Sequence, residues 1–114
     1  MSARTKPDVD ELFAALADPA RRRAIELLGA GPKRAGELAE LLELPAPAMS
    51  RHLKTLKASG LIAETHQGID ARVRVYALNA GRLTELKDWL ARAEQGWTAQ
   101  LASFAQHIAK RKPK

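Results

Sequence analysis

Pro45-Ala46-Pro47-Ala48-Met49-Ser50-Arg51-His52-Leu53-Lys54-Thr55-Leu56-Lys57-Ala58-Ser59-Gly60-Leu61-Ile62 presents two unlike faces when wound as an α-helix. Met49, Leu53, Leu56 and Gly60 fall at i, i+4, i+7 and i+11, which assigns one side to a core. Pro47, Arg51, Lys54, Thr55 and Ala58 project from the other side, with Ser50, His52 and Lys57 on its shoulders. No acidic residue occurs from Leu44 through Ala63, so Arg51, Lys54 and Lys57 have no neutralising neighbour nearby in the chain. Such a face suits a polyanion, although three basic residues are equally the ordinary state of a solvated helix. The preceding segment shifts the balance. Gly36 to Glu43 reads as a short helix with Leu38, Ala39, Leu41 and Leu42 apolar, and Glu43-Leu44-Pro45-Ala46 as a tight turn. Two helices so joined, the second basic and rich in Ser, Arg, His and Thr, form a helix-turn-helix whose chemistry points to duplex DNA.

Length and composition limit the alternatives. The 114 residues suffice for one domain with a sizeable core. With no cysteine, disulfides, zinc fingers and thiol-based sensing are excluded, and a reducing, cytoplasmic setting is expected. The first eight residues, read as a disordered lead, lack the apolar core of a signal peptide, and no stretch approaches the ~20 apolar residues of a membrane span. A soluble protein is expected. The net charge of +6 is concentrated at the ends, in Arg4, Lys6, Lys110, Arg111, Lys112 and Lys114. Residues 9 to 109, taken as the folded domain, hold 13 basic and 12 acidic groups. Local clustering therefore says more than the total, and residues 110 to 114 read as a basic tail.

Val9 to Ala17 is helical in pattern, with Leu12, Phe13 and Leu16 apolar. Asp18-Pro19 restarts the chain as a second helix to about Leu28, Asp serving as N-cap and Pro losing no hydrogen bond at the first helical position. Its buried stripe should include Ala24, Ile25 and Leu28. Arg21, Arg22 and Arg23 cannot all face one partner on a helix, so at least one should be structural, paired with Asp18, Glu26 or an acid elsewhere. Gly29-Ala30-Gly31-Pro32 ends that helix. The basic helix, placed at Ala48–Ser59, has no Ser, Thr, Asp or Asn cap; Pro45 and Pro47 set its entry and leave free amides for a phosphate.

From Leu61 the period changes from helical to alternating. Leu61 to Gln67 and Arg72 to Leu78 read as strands around Gly68-Ile69-Asp70-Ala71, with Val73, Val75 and Ala77 alternating against Arg72, Arg74 and Tyr76. A hairpin directly after the basic helix is placed as a wing, where Arg72 and Arg74 reach either the DNA backbone or solvent. Asn79 can cap the last helix. There Leu83, Leu86, Leu90, Ala93, Trp97, Leu101, Phe104 and Ile108 recur every three or four residues, with Trp89 on one flank. A domain this small cannot bury so long a stripe alone. A second copy is the expected cover; a helix bent over its own domain, or a small-molecule pocket at Trp97 and Phe104, are the alternatives.

Four stretches in order resemble the ArsR/SmtB family of small winged-helix repressors: Phe13 to Arg23, Gly36-Glu37-Leu38-Ala39, Met49 to Leu56 with Ala58 to Ile62, and Tyr76-Ala77-Leu78-Asn79. The resemblance implies a mainly α fold of order ααααββα with a small β-hairpin, a dimer through the first and last helices, and repression by operator binding that an inducer relieves. It also puts Ser50, Arg51 and His52 at the DNA. Metal-sensing members carry two cysteines where this chain has Arg34 and Gly36. Others use Asp and His on the last helix with a downstream His and Glu, a spacing that Asp88, Glu94 and His107 do not reproduce. His66 and Asp70 supply only two ligands. No metal and no cofactor is therefore expected, and the inducer is an unidentified non-metal signal.

The expected function is thus a homodimeric, sequence-specific regulator with one basic helix in each of two successive major grooves of an imperfect inverted repeat. Ser50, Arg51, His52 and Thr55 are assigned to base edges, and Lys54, Lys57, Arg72 and Arg74 to phosphates, with Pro47 and Ala48 at the helix entry. Leu12, Phe13, Leu16, Leu86, Leu90, Trp97, Leu101 and Phe104 are assigned to the dimer interface. The alternative is a protein-interaction module built on the long helix, without specific DNA binding. An enzyme is not expected: the chain has no thiol, no matched Ser, His and Asp, and no phosphate-binding glycine loop.

Overall fold

Helices and strands alternate along the chain as two helices, a strand, two helices, a hairpin and a final long helix. The computed structural model describes residues 9–66 and 73–111. The elements are α1 (Val9–Ala15), α2 (Pro19–Leu28), β1 (Lys33–Arg34), α3 (Ala35–Leu42), α4 (Ala46–Ser59), β2 (Ile62–His66), β3 (Arg74–Leu78) and α5 (Ala80–Arg111). This is the expected helical order with one strand added. β1 joins the edge of the hairpin, so the antiparallel sheet runs β1-β3-β2, with Lys33 opposite Tyr76 and Arg34 opposite Val75. A two-residue strand has no period of its own, which is why local patterning does not reveal it.

Leu12, Leu38, Met49, Leu53, Leu56 and Leu61 are the largest fully enclosed side chains. They come from α1, α3, α4 and the start of the hairpin, so the apolar stripe of α4 is the centre on which the other elements close. Ile62 attaches the sheet to this core, with Tyr76 and Leu78 packed against it, and Ala24 and Leu28 attach α2, with Ile25 half-buried beside them. Gly60 does not extend the buried stripe. It ends α4 at φ 87°, a left-handed conformation suited to glycine, and its amide bonds to the Lys57 carbonyl at 3.0 Å. Arg82 of α5 lies buried directly over it, so close that an added Cβ would sit 3.0 Å from its Nε. The Arg82 guanidinium bonds to the Ser59 carbonyl and to Glu85, which ties the base of α5 to the end of α4.

Several boundaries differ from the sequence reading. α1 stops at Ala15 because Leu16 and Ala17 form the turn that leads into Asp18. α3 begins at Ala35 rather than Gly36, with the Glu37 carboxylate accepting from the Arg34 amide at 3.3 Å. Glu43 then takes φ 55°, and the Leu44 amide bonds back to the Ala39 carbonyl at 2.9 Å, which makes the tight turn before α4. α4 starts two residues earlier than expected, at Ala46. The hairpin strands are shorter than expected, and the turn proposed at Gly68–Ala71, with Arg72, falls outside the described residues. Lys110 and Arg111, read as the start of a tail, belong to the last turn of α5.

α5 has 32 residues, about 48 Å at 1.5 Å per residue. Asn79 caps it, its Oδ1 accepting from the Gly81 amide at 3.1 Å. Leu83 and Leu86 pack against the core, and Trp89 meets Phe13 edge to face with centroids 5.1 Å apart. Beyond Ala93 every described side chain is exposed, including Trp97 at 56%, Leu101 at 65%, Phe104 at 60% and Ile108 at 49%. Leu12 is different: it is 0% exposed and belongs to the core of its own chain, because that side of α1 is turned inward against the core. Its assignment to a surface between copies is therefore corrected, and Leu16 and Leu86 are also partly taken up by the core.

Candidate nucleic-acid interface

α4 reaches solvent with the face expected of it. Pro47, Ser50, Arg51, Lys54, Thr55, Lys57 and Ala58 are exposed, while Ala48 and His52 are half-buried at its margins. Pro45 precedes the helix in an extended conformation at ψ 147° and offers no side-chain cap, so the first-turn amides point outward unsatisfied by any side chain. The Met49 amide is the first to bond within the helix, to the Pro45 carbonyl at 3.1 Å. Free amides, a positive helix end and the cations of the next turns lie along one edge.

The arginine run supports this edge from behind. Arg21 Nε donates to the Ala15 carbonyl at 2.6 Å and Arg21 Nη2 to the Ala14 carbonyl at 3.4 Å. Arg22 Nη1 donates to the Leu16 and Ala17 carbonyls at 2.7 and 3.2 Å. Both guanidiniums thus serve the carbonyl end of α1, where backbone acceptors and the helix dipole favour a cation. The expected structural role holds, but carbonyls replace the expected acidic partners. Arg21 Nη1 also lies 3.3 Å from His52 Nδ1. A guanidinium only donates, so the contact is a hydrogen bond in the tautomer whose Nδ1 carries no proton. His52 is held by α2 as well as carried by α4.

Asp18 anchors the same corner. Its Oδ1 accepts from the Ala20 amide at 2.8 Å and the Arg21 amide at 3.4 Å. Partial burial pushes its carboxyl upward, but the two amides, with His52 and Arg21 nearby, outweigh that and leave it below its ordinary range.

The wing brings the main departure from the sequence reading. Glu64, just past the acid-free stretch, accepts from Lys57 Nζ at 2.8 Å through Oε1 and pairs with Arg74 Nε at 3.2 Å through Oε2. Lys57 and Arg74 remain 53% and 68% exposed, while Glu64 is only 15% exposed. The Lys57 hydrogen bond holds the Glu64 carboxyl below its ordinary value against the opposing pull of burial, with Lys57, Arg74 and His66 adding charge attraction. Glu64 lies opposite Tyr76 in the β2–β3 register, so Arg74 is its diagonal neighbour on the same face of the hairpin. Ser50, Leu53, Lys54, Lys57, Glu64, Arg74 and Tyr76 together line an open hollow of about 240 Å³ between α4 and the wing. Two of the four expected phosphate ligands therefore already share a carboxylate. Lys54 stands free of the pair on the rim of the same hollow, and Arg72 lies outside the described residues.

Three residues important to this surface escaped the sequence reading: Arg21 as a partner of His52, Glu64, and Arg82. Only Glu64 left a usable signal, since the hairpin register places residues 64 and 74 on one face once the turn is located. Among the described residues no three His, Cys, Asp or Glu side chains converge as metal ligands would.

Comparison with known proteins agrees with this geometry. Residues 18–64 match the family model described as bacterial regulatory protein, arsR family. The chain is 40% identical over 99 residues to the HTH-type transcriptional regulator Rv2034 of Mycobacterium tuberculosis, covering 87% of each chain. It belongs to the ArsR family. As in other members, the chain's role is transcription regulation through a DNA-binding winged helix, not catalysis. It is also similar to the transcriptional repressor SdpR of Bacillus subtilis, 32% identical over 82 residues that cover 72% of this chain and 88% of that one. Among solved structures, an ArsR-like transcriptional regulator from Rhodococcus sp. RHA1 superposes with a TM-score of 0.69 at 30% identity, over 85% of this chain and 89% of that one. A second, the ArsR family transcriptional regulator RHA00566, gives 0.68 at 34%, over 79% and 96%. In this ArsR chain the matched segment runs from the Asp18 cap through α2, β1 and the helix-turn-helix to Glu64, within the first wing strand. No helix among the described residues is long and apolar enough to cross a membrane.

Proposed function

We propose that the protein is a cytoplasmic homodimeric repressor that binds an operator of imperfect inverted-repeat form and leaves it on a non-metal signal. The observation that carries this reading is the exposed α4 face, where Ser50, Arg51, Lys54 and Thr55 stand in solvent beside uncapped first-turn amides with no acid among them. Arg51 is the candidate for bidentate contact with guanine O6 and N7, with Ser50, Thr55 and His52 for neighbouring edges. Pro47 and Ala48 allow close approach of the backbone at the helix entry, where a phosphate meets the amides. Lys54, Lys57, Arg72 and Arg74 are the phosphate candidates. Phe13, Leu90, Trp97, Leu101 and Phe104 are the interface candidates, because one chain leaves them exposed along α1 and the protruding part of α5. A two-fold pairing there spaces the two α4 helices by one turn of DNA, about 34–36 Å.

The test is anisotropy of a labelled fragment from the gene's own upstream region against random DNA at two salt concentrations. A preference of about 1,000-fold or more supports a specific operator. Equal, steeply salt-dependent binding to both would refute it. The exposed stripe of α5 also favours a second reading, a module that docks a different protein through Trp97 and Phe104. A stable homodimer at micromolar concentration in sedimentation equilibrium would favour the repressor over it.

A further inference from the structure

Among the described residues Glu64 is the one acid lining the hollow between α4 and the wing, and it engages two of the cations that border it. Its two oxygens take one cation each, at 2.8 Å from Lys57 Nζ and 3.2 Å from Arg74 Nε. A DNA phosphate offers the same chemistry: two oxygens sharing a negative charge, accepting from Lys and Arg at the same distances. The carboxylate comes from the wing and Lys57 from the recognition helix, so the arrangement also closes the wing onto α4.

We propose that Glu64 is a built-in competitor for the DNA backbone: it occupies the place of a phosphodiester between Lys57 and Arg74, and lowers the affinity of the wing edge for duplex DNA of any sequence. The proposal rests on the DNA-binding reading above. Lys57 and Arg74 must leave Glu64 before they can neutralise a phosphate, so the three groups act as one positive charge instead of two. Lys54 on the rim of the same hollow keeps its full effect. The consequence is sequence-independent. It restrains capture on random DNA while leaving the base contacts of Arg51 untouched, because that side chain takes no part in the pair.

The experiment compares the full-length protein with Glu64→Gln and Glu64→Asp in binding to a labelled random 30-base-pair duplex between 50 and 200 mM salt, with thermal melts as a fold control. One more effective phosphate contact steepens the slope of log K against log salt by about 0.9, which corresponds to ~15-fold tighter binding at 50 mM and ~4-fold at 200 mM. Glu64→Gln should show both changes. Glu64→Asp, which keeps the charge, should show neither. Should Glu64→Gln fail to fold, Glu64→Thr neutralises the same position with a better strand former and carries the same expectation.

Neutral variants that bind and scale with salt like the wild type would overturn the proposal while leaving the DNA-binding reading intact. Tightening by Glu64→Asp equal to that by Glu64→Gln would overturn it as well. A wild-type protein that binds neither random DNA nor its own upstream region at 50 mM salt would instead overturn the DNA-binding reading, and the proposal with it.

Discussion

Replacing Phe104 by alanine should dissociate the proposed homodimer without unfolding the monomer. Phe104 is 60% exposed on a part of α5 whose described side chains all face solvent, so its removal takes nothing from the core. An aromatic side chain buries about 150–250 Å² when enclosed, so roughly 100 Å² is left to be covered by a second copy. At about 25 cal/mol per Å² this is ~2.5 kcal/mol per protomer. Two-fold symmetry places both copies in the interface, and the loss becomes ~5 kcal/mol. The dissociation constant should rise ~1,000- to 10,000-fold, enough to convert a micromolar solution from dimer to monomer. Sedimentation equilibrium reads the constant, and circular dichroism checks that helicity is retained. Gln106→Ala, about 200° around the helix from Phe104, is the control. If Phe104→Ala left the constant within a factor of three of wild type, or if Gln106→Ala matched it, the stripe would not be the seam between copies.

Arg51→Ala should cost ~1–3 kcal/mol on the operator and relax preference at one base pair, whereas Lys54→Ala should weaken all sequences alike and lower the salt slope by about one; equal losses for Arg51→Ala on operator and random DNA would refute its assignment. Gly60→Ala should lower unfolding stability by about 2 kcal/mol in urea titration, since alanine is strained at φ 87° and its Cβ would press on the buried Arg82 side chain. Unchanged stability would show that Arg82 gives way freely. Asp18 and Glu64 both have folded-state pKa values lowered from the ordinary 3.8 and 4.5, so their charges stabilise the fold above those values, and the contribution is lost as pH falls through the folded values. Asp18→Asn, which still caps a helix, should leave stability near pH 7 close to wild type and make its decline between pH 5 and 3, read by thermal melts, shallower. A steeper decline would reverse the sign of that argument.

The wing edge shows where sequence reasoning ran short. The absence of acids from Leu44 through Ala63 is a true statement about neighbours in the chain, and on its own it leaves Lys57 unopposed. Glu64 lies one residue outside that window and returns to Lys57 through the fold of the hairpin. The arginine run failed in a milder way. Asp18 lies three residues before Arg21, and Glu26 lies four after Arg22 and three after Arg23, so these acids are the natural local partners for the run. The end of a preceding helix offers better acceptors, and its position depends on how sharply the chain turns at Leu16 and Ala17. Leu12 was misassigned because an apolar stripe shows that a face is covered without showing by what. α1 turns Leu12 inward and leaves Phe13 outward against Trp89, one residue apart.

What local order decides was legible from the chain alone. Met49, Leu53 and Leu56 at helical spacing, the Asp18-Pro19 start, the Asn79 cap and the change to alternation after Gly60 each depend on residues a few positions apart, and together they define a winged helix-turn-helix and its outward basic face. Which charges on that face stay free, which apolar residues remain exposed, and how β1 joins the sheet depend on contacts between residues far apart in sequence. Those contacts exist only once the chain has closed around the α4 stripe, because a hydrogen bond or ion pair needs its partners within about 3 Å. Periodicity says which way a side chain points from its own helix or strand. Only the packed structure says what stands opposite it.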